Sequence, residues 1–449
     1  MGRKIYLHRL GCPKLDVDHD LLAAGLAEQG AVFVEQTDSA DTVIISTCAF
    51  IGDARAEAVE AMLEGANWKS EAANRSLYVT GCLPARYQDS LRIDLPEVDG
   101  WFGPGQFEHL IHNLSPDVKD TLQLDSDSKP HIGRVPRALE DLLANLRRAE
   151  ESPVAYLKIA EGCNRRCAYC AIPDIRGPYT SRRPGSILSE ASRLLSQGVR
   201  EIIVTAQEVN SYGFDLDDGI RIEQLLPRLG EIVAKEDGWL RVLYTHPPLF
   251  TEAFVQALTE TPAFVPYLDF PIEHTDDAVL KAMGRGITWA EMQRWIDLLR
   301  SRIPDIALRT SVIVGHPGER DAEFRTLLTR LNEVHFERLG VFRYSPEEGT
   351  KAAKRSAPTE EAAVARELEV QELALDHADE WYRSRVGRTT EMLVEAIGED
   401  NRPRGRTLWD APDIDGEAVF VGNAQHGDIV CGVIREAEPF TMTLEPTGP

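Results

Sequence analysis

No stretch of this 449-residue sequence approaches the 18 or more consecutive apolar residues of a membrane-spanning helix. Its most apolar run, residues 43–51, is short and broken by Ser46 and Thr47. The first ten residues carry no apolar core of the secretory-signal kind, so a soluble cytoplasmic protein is expected. Positive charge is scarce too: 49 Lys and Arg stand against 73 Asp and Glu, and only 10 of the 49 are Lys. The resulting net charge of −24 argues against broad, sequence-blind binding to nucleic acid, which needs a basic face. It fits a basic protein partner or a salt-rich cytoplasm. There is no P-loop and no G-x-G-x-x-G after a strand pattern, which disfavours nucleotide triphosphatases and dinucleotide enzymes. Aromatic residues are only 7%, but hydrophobic residues reach 43%, which excludes global disorder and suffices for the cores of two to four domains.

What is present is an alternation of strand and helix patterns. Residues 4–10, 42–46 and 76–80 read as strands ending at Gly11-Cys12, Thr47-Cys48 and Gly81-Cys82, with helical stretches at 19–29 and 54–65 between them. Alternation of this kind implies a parallel sheet, and ligands of such sheets bind beyond the carboxyl ends of the strands. Residues 115–150 are polar and charged with Pro116, Pro130 and Pro136, and read as a linker with a helix over 137–150. Six further strand patterns (155–160, 201–206, 240–246, 267–272, 307–314, 339–345) alternate with amphipathic helices, such as 186–197 and 319–334, and predict a partial (β/α)6 barrel. After a helical stretch at 360–386, short β-branched runs (392–394, 418–422, 428–434, 440–444) predict a small β-barrel. The expected architecture is therefore α/β and multidomain, with domains over 1–135, 150–375 and 386–449.

Seven cysteines, an odd number, argue against a disulfide framework and for metal or catalytic use. Cys163, Cys167 and Cys170 form a C-x3-C-x2-C directly after the first strand of the barrel pattern. Three thiolates so spaced can hold three irons of a 4Fe–4S cluster and leave the fourth open. A structural zinc site wants a fourth ligand, and no fourth Cys or His lies nearby. Cys12, Cys48 and Cys82 end three separate strands and converge on one sheet edge by the fold rule alone. Three buried apolar cysteines are the plain alternative; a second cluster explains their equivalent placement. Cys431, in an apolar tail strand, is expected in the core.

Several segments carry a family resemblance. Leu10-Gly-Cys-Pro-Lys14, Ser46-Thr-Cys-Ala-Phe-Ile51, Val79-Thr-Gly-Cys-Leu83 and Tyr156-Leu-Lys-Ile-Ala-Glu-Gly-Cys-Asn-Arg-Arg-Cys167 together resemble the radical S-adenosylmethionine (SAM) methylthiotransferases over nearly the whole chain. The resemblance implies an N-terminal cluster domain, a radical SAM partial barrel and a C-terminal TRAM barrel. It implies that Cys163, Cys167 and Cys170 hold one 4Fe–4S cluster whose open iron is chelated by SAM, giving a 5′-deoxyadenosyl radical. Cys12, Cys48 and Cys82 would hold an auxiliary cluster that delivers sulfur, a second SAM would give the methyl group, and a donor such as flavodoxin or ferredoxin would supply electrons. Tyr169 occupies the position implied to pack near the adenine. Gln207, Arg309 and Gly315, placed at strand carboxyl ends, are implied SAM contacts, though each has a structural alternative. No catalytic side chain beyond the cluster ligands is singled out. His246, His274 and His316 also end strand patterns and read as hydrogen-bonded structural residues.

Two branches of the family differ in substrate: one modifies an adenosine in tRNA, the other, RimO, the β-carbon of an aspartate in small-subunit ribosomal protein S-twelve. Leu10–Lys14, Ile172-Pro-Asp-Ile-Arg-Gly177, Phe342-Arg-Tyr-Ser-Pro-Glu-Glu-Gly349 and above all Asp410-Ala-Pro-Asp-Ile-Asp-Gly416 resemble RimO. The tail from Val386 carries five Arg, no Lys and twelve acidic residues, a poor match to tRNA and a better one to a basic ribosomal protein. There are departures. Leu15 and His19-Asp20 replace the usual Asn and Ser-Glu, Val209-Asn-Ser-Tyr212 looks more like the tRNA branch, and Glu273 stands where the family has Gln. Methylthiolation of tRNA, or a non-catalytic ribosome-binding metal protein, remain the alternatives.

Overall fold

The computed structural model describes residues 2–49, 51–114 and 152–447. The expected linker, residues 115–150 with its helix over 137–150, lies outside them. The described residues gather into two compact units, one of Met1–Glu151, Lys158–Arg166 and Cys170–Glu190, the other of Ser152–Leu157, Cys167–Tyr169 and Ala191–Pro449.

In the first unit the chain runs β1 (Lys4–Arg9), α1 (Pro13–Glu28), β2 (Val32–Phe33), β3 (Thr42–Thr47), α2 (Gly52–Ser70), β4 (Ser76–Gly81), α3 (Cys82–Asp94), β5 (Gly100–Phe102) and α4 (Phe107–Leu114). The sheet order is β2-β1-β3-β4-β5 and every pairing is parallel. All six residues of β3, Thr-Val-Ile-Ile-Ser-Thr, are buried, as expected of a central strand covered on both faces. Ile45, Leu77, Met62 and Trp101 form the core, joined by Ala171 and Ile175 from the segment after Cys170. β2 and β5, with two and three residues, are too short to show as periodicity, and the sequence pattern misses both.

The chain then passes through β6 (Val154–Lys158). The antiparallel pair β7 (Ala160–Glu161) and β8 (Thr180–Ser181) frames the short helix α5 (Ile172–Arg176) and belongs to the first unit. The remaining elements are α6 (Pro184–Ser196), β9 (Glu201–Thr205), α7 (Ile222–Ala234), β10 (Trp239–Val242), α8 (Glu252–Glu260), β11 (Phe264–Asp269), α9 (Asp277–Met283), α10 (Trp289–Arg302), β12 (Ala307–Val314), α11 (Asp321–Val334), β13 (Arg338–Arg343), α12 (Glu360–Arg383), β14 (Thr389–Ile397), β15 (Pro403–Thr407), β16 (Glu417–Phe420), β17 (Ile429–Glu438) and β18 (Thr441–Pro446). Strands β13-β12-β11-β10-β9-β6 make one open sheet, parallel from β9 to β13, and β14-β15-β16-β18-β17 close into a barrel. This is the expected α/β architecture with its partial barrel and small terminal β-barrel. Helix starts follow capping chemistry: Asp276 caps α9, Thr359 caps α12, and Thr288 with Glu291 forms a capping box on α10.

Within the second unit the terminal barrel shares a core with the sheet. Val154, Trp239, Val265 and Ala307, at or next to the first positions of β6, β10, β11 and β12, pack with Trp381 and Tyr382 of α12 and with Met392, Trp409 and Leu444 of the barrel. The barrel thus abuts the amino ends of the strands. Polar contacts lock it there. Asp410 Oδ1 accepts from Arg338 Nη2 at 2.6 Å and from the Tyr382 hydroxyl at 2.8 Å, and the Tyr267 hydroxyl donates to Asp415 Oδ2 at 2.6 Å. Glu201, at the head of β9, accepts from Arg241 Nε at 2.6 Å and also from Arg406 of β15. Asp410 and Asp415 come from the Asp410–Gly416 segment that resembles RimO, so that motif serves here as a docking lock.

Two placements differ from expectation. Cys431 is exposed. Gly432 and Ile434 face the barrel interior, so the two-residue period of β17 turns Cys431 outward. Arg309 is the third of eight residues in β12, away from the carboxyl end, and is paired with Asp269 at 3.2 Å and Asp415 at 3.9 Å. An arginine at that register meets the carboxylates of β11 and the barrel.

The lock has a measurable consequence. Removing Asp410 takes the nearer carboxylate from the buried Arg338 guanidinium and leaves Asp415 at 4.0 Å, which costs about 3 kcal/mol. Asp410→Ala is expected to lower the unfolding free energy of the second unit, read from urea titration, by that amount, whereas Tyr382→Phe, which deletes one hydrogen bond, costs about 1 kcal/mol. Fluorescence of Trp381 and Trp409 at the junction follows the transition.

Candidate metal centres and cofactor edge

In the first unit β1, β3 and β4 are neighbours and parallel, so their carboxyl ends share one edge. Cys12, Cys48 and Cys82 follow them there. Thr47 stands opposite Gly81, so Cys48 and Cys82 each come one residue after a register pair. The Leu10 N–H donates to Ser46 O at 3.2 Å, which carries Cys12 to the same edge as the N-cap of α1. Gly81 has φ +103°, and a Cβ there would lie 2.4 Å from the Thr47 carbonyl oxygen; only glycine lets β4 turn this closely into Cys82. Cys82 is buried, while Cys12 and Cys48 are half-buried. Burial pushes the Cys82 thiol up, Arg176 pulls it back, and Cys12 adds a smaller rise. Arg176 Nη2 donates to Cys82 Sγ at 3.5 Å.

The loop of the second cysteine set leaves β7 through Gly162 (φ +79°), where a Cβ would lie 2.3 Å from the Pro178 carbonyl oxygen. The Cys163 N–H donates to Gly177 O at 3.1 Å, and the Asn164 side chain accepts from Tyr179 N at 3.0 Å. Backbone amides turn toward sulfur: Arg165 N–H toward Cys163 Sγ at 3.4 Å, and Ile172 N–H toward Cys170 Sγ at 3.5 Å. Cys163, Cys167 and Cys170 are kept together by their spacing along the chain.

In the second unit, Cys167 and Tyr169 meet Arg285, the residue after the left-handed Gly284 that ends α9. Arg285 Nη1 lies 4.0 Å from Cys167 Sγ and 3.5 Å from the Tyr169 hydroxyl, its Nη2 donates to Pro271 O at 2.6 Å, and Glu273 sits 3.7 Å away. Burial raises the Glu273 carboxyl; Arg285 and Tyr169 oppose the rise. Tyr169 also stands edge-on to His316 at 6.2 Å, and His316 edge-on to Tyr344 at 5.3 Å. Burial first, and Arg355 second, lower His316 to about 4, so it is neutral at pH 7. Gly315 follows the last residue of β12 with φ +75° and donates its N–H to Glu319 at 3.1 Å. Gln207 lies two residues beyond β9. Tyr169, Gln207 and Gly315 therefore belong to the carboxyl edge of the sheet, opposite the barrel, and Arg309 does not. His274 is structural, its Nδ1 accepting from Asp276 N at 2.9 Å. The Val209–Tyr212 segment is wholly buried, with Asn210 bonded to the His246 backbone, so its likeness to the tRNA branch is a property of scaffold.

The donor set fits iron–sulfur clusters: two groups of three cysteines, each with a buried guanidinium aimed at one sulfur. Among the described residues no three His, Cys, Asp or Glu converge as ligands of a single ion would. A cluster asks for a wider spacing, because each cysteine takes a different iron. Arg176, Glu161, Asp18, Lys158 and Arg285 escaped the sequence reading. One signal was available: Lys158 is the charged last residue of the otherwise apolar strand β6.

Three family models match successive parts of the chain. Residues 4–103 match the Uncharacterized protein family UPF0004, residues 157–331 the Radical SAM superfamily, and residues 386–445 the TRAM domain. The ribosomal protein uS12 methylthiotransferase RimO of Anaeromyxobacter sp. (strain K) is 38% identical over 98% of this chain and 93% of its own length. The protein of the same name from Geobacter sulfurreducens is 39% identical over 98% of each chain. Among solved structures, the radical S-adenosylmethionine methyltransferase TsrM from Kitasatospora setae, with cobalamin and a [4Fe-4S] cluster bound, aligns over 77% of each chain with TM-score 0.53 and 16% identity, a likeness of fold. With both cysteine sets in place and full-length identity above a third, the chain belongs to the RimO family of radical SAM methylthiotransferases.

Proposed function

We propose that this protein replaces a hydrogen on the β-carbon of an aspartate in ribosomal protein uS12 with a methylthio group. The observation that carries the reading is similarity over 98% of the chain to curated uS12 methylthiotransferases. Cys163, Cys167 and Cys170 would hold one 4Fe–4S cluster that works with SAM, and Cys12, Cys48 and Cys82 would hold a second. When bound, these groups supply a hydrogen-abstracting radical, sulfur and a methyl group.

The chain's own residues do the positioning. Tyr169, fixed by Arg285 and flanked by neutral His316, offers an aromatic edge for the adenine. Gln207 and the backbone at Gly315 border the same strand ends. A flavodoxin or ferredoxin type of donor reduces the radical cluster, and the work is done in the cytoplasm. No helix among the described residues is long and apolar enough to cross a membrane.

Two outcomes are expected. Anaerobically reconstituted protein takes up about eight irons per chain, and Cys163→Ser or Cys82→Ser each removes about half, measured by iron and acid-labile sulfide analysis. Incubation with SAM, reductant, uS12 and bulk tRNA yields a methylthio adduct on the uS12 aspartate by peptide mass spectrometry; an adduct on tRNA alone overturns the substrate.

A further inference from the structure

Arg176 is the last residue of α5 and is 3% exposed. Its Nη1 donates to both Glu161 carboxylate oxygens, at 3.0 and 3.1 Å, and reaches Asp18 at 3.4 Å. Its Nη2 donates to Cys82 Sγ at 3.5 Å. Lys158 completes the group, pairing with Asp18 and, at 3.0 Å, with Glu161. Asp18 and Glu161 balance Lys158 and Arg176, so the four charges are neutral before any cysteine ionises. The residue after Arg176 works in the other direction. The Gly177 carbonyl accepts the Cys163 N–H at 3.1 Å, and Glu161 itself lies two residues before Cys163. One dipeptide therefore touches a cysteine of each set: the Arg176 side chain meets the Cys82 sulfur, and the Gly177 backbone holds the Cys163 amide.

We propose that Arg176 is a positioning residue that fixes the Cys82 sulfur as an auxiliary-cluster ligand and raises that cluster's reduction potential, while Gly177 ties the Cys163 loop to the same turn. The proposal rests on the two-cluster reading above. An N–H bond to a ligating sulfur and a cation in low dielectric both favour the more negative, reduced cluster, and so raise its potential. Asp18 and Glu161 hold the guanidinium in place. Because Nη1 serves the carboxylates and Nη2 the sulfur, a lysine could supply the charge but not the fork.

The test uses the full chain with Cys163, Cys167 and Cys170 replaced by Ala, so that the auxiliary cluster alone reports, beside the unaltered chain as control. Iron content and an EPR-monitored redox titration are read for Arg176→Gln, Arg176→Lys and the charge-balanced pair Arg176→Gln with Glu161→Gln. The expected result is a more negative midpoint in Arg176→Gln and in the balanced pair, with return toward the parent value in Arg176→Lys. In the chain that keeps Cys163, Cys167 and Cys170, Arg176→Gln lowers methylthio transfer by about 10–100-fold, the usual cost of losing a partner behind a metal ligand. The balanced pair keeps the measurement informative if the single change perturbs folding, which near-ultraviolet circular dichroism reads directly. A midpoint unchanged in both glutamine variants, with about eight irons still held by the unaltered chain, overturns the role of Arg176 alone. About four irons in the unaltered chain overturns the two-cluster reading and this inference together.

Discussion

A guanidinium taken out of water costs several kcal/mol unless an anion meets it in good geometry. Among the described residues six arginines are 5% exposed or less: Arg176, Arg182, Arg241, Arg285, Arg338 and Arg406. Each stands where two pieces of chain must keep a fixed relation. Arg338 and Arg406 join the terminal barrel to the head of the parallel sheet through Asp410 and Glu201. Arg241 meets Glu201 from the sheet side and also donates to the Leu408 carbonyl at 3.1 Å. Arg176 and Arg285 instead face sulfur. An arginine needs several acceptors at set angles. Misplacing any of these segments would leave a buried charge unpaired, so the pairs select one arrangement more than they add net stability.

Strand polarity then divides the second unit. Tyr169, Gln207 and Gly315 belong to the carboxyl edge and the barrel to the amino edge. The eight residues of β12 set that separation, roughly 25 Å at about 3.3 Å per residue. Charges are screened over about 8–10 Å at ordinary ionic strength. The acidic tail therefore acts on the reacting centre only weakly. Several of its twelve acids pair within the molecule: Asp410 with Arg338, Glu395 with Arg406, Glu417 with Arg404 and Glu445 with Arg435.

Much of this was legible because the chemistry is periodic or repeated. β3, β9 and β12 declare themselves as apolar, β-branched runs, and β12 occupies its expected residues 307–314. The three Gly-Cys or Thr-Cys strand ends announce a shared edge once the sheet is parallel. β15 is invisible to the pattern because Pro403-Arg-Gly-Arg-Thr carries no apolar alternation; it is a strand through its antiparallel ladders to β14 and β16. Arg309 was misplaced for a related reason: a strand's residues are readable, but whether a charged one points to a ligand or to a carboxylate on the next strand depends on tertiary pairing. Arg176 shows the limit most clearly. It lies in a legible motif, yet its partners Asp18 and Cys82 are 158 and 94 residues away, and no local pattern encodes such contacts.

Glu273, the residue that departs from the family's glutamine, can now be given a physical meaning. It sits in the left-handed region at φ +66°, held there by a bridge to Val312 and by backbone bonds to Ser311 and Ile313. The strain is therefore imposed by the extension of the sheet and is indifferent to amide or acid. The side chain is a different matter. Arg285 lies 3.7 Å from its carboxylate and 4.0 Å from the Cys167 sulfur, so one guanidinium is shared between a carboxyl group and a cysteine. An amide at 273 would leave the full charge of Arg285 facing Cys167. A carboxylate offsets part of it, and burial works against that offset by favouring the neutral acid. The departure leaves the cysteines intact and alters the field at one sulfur.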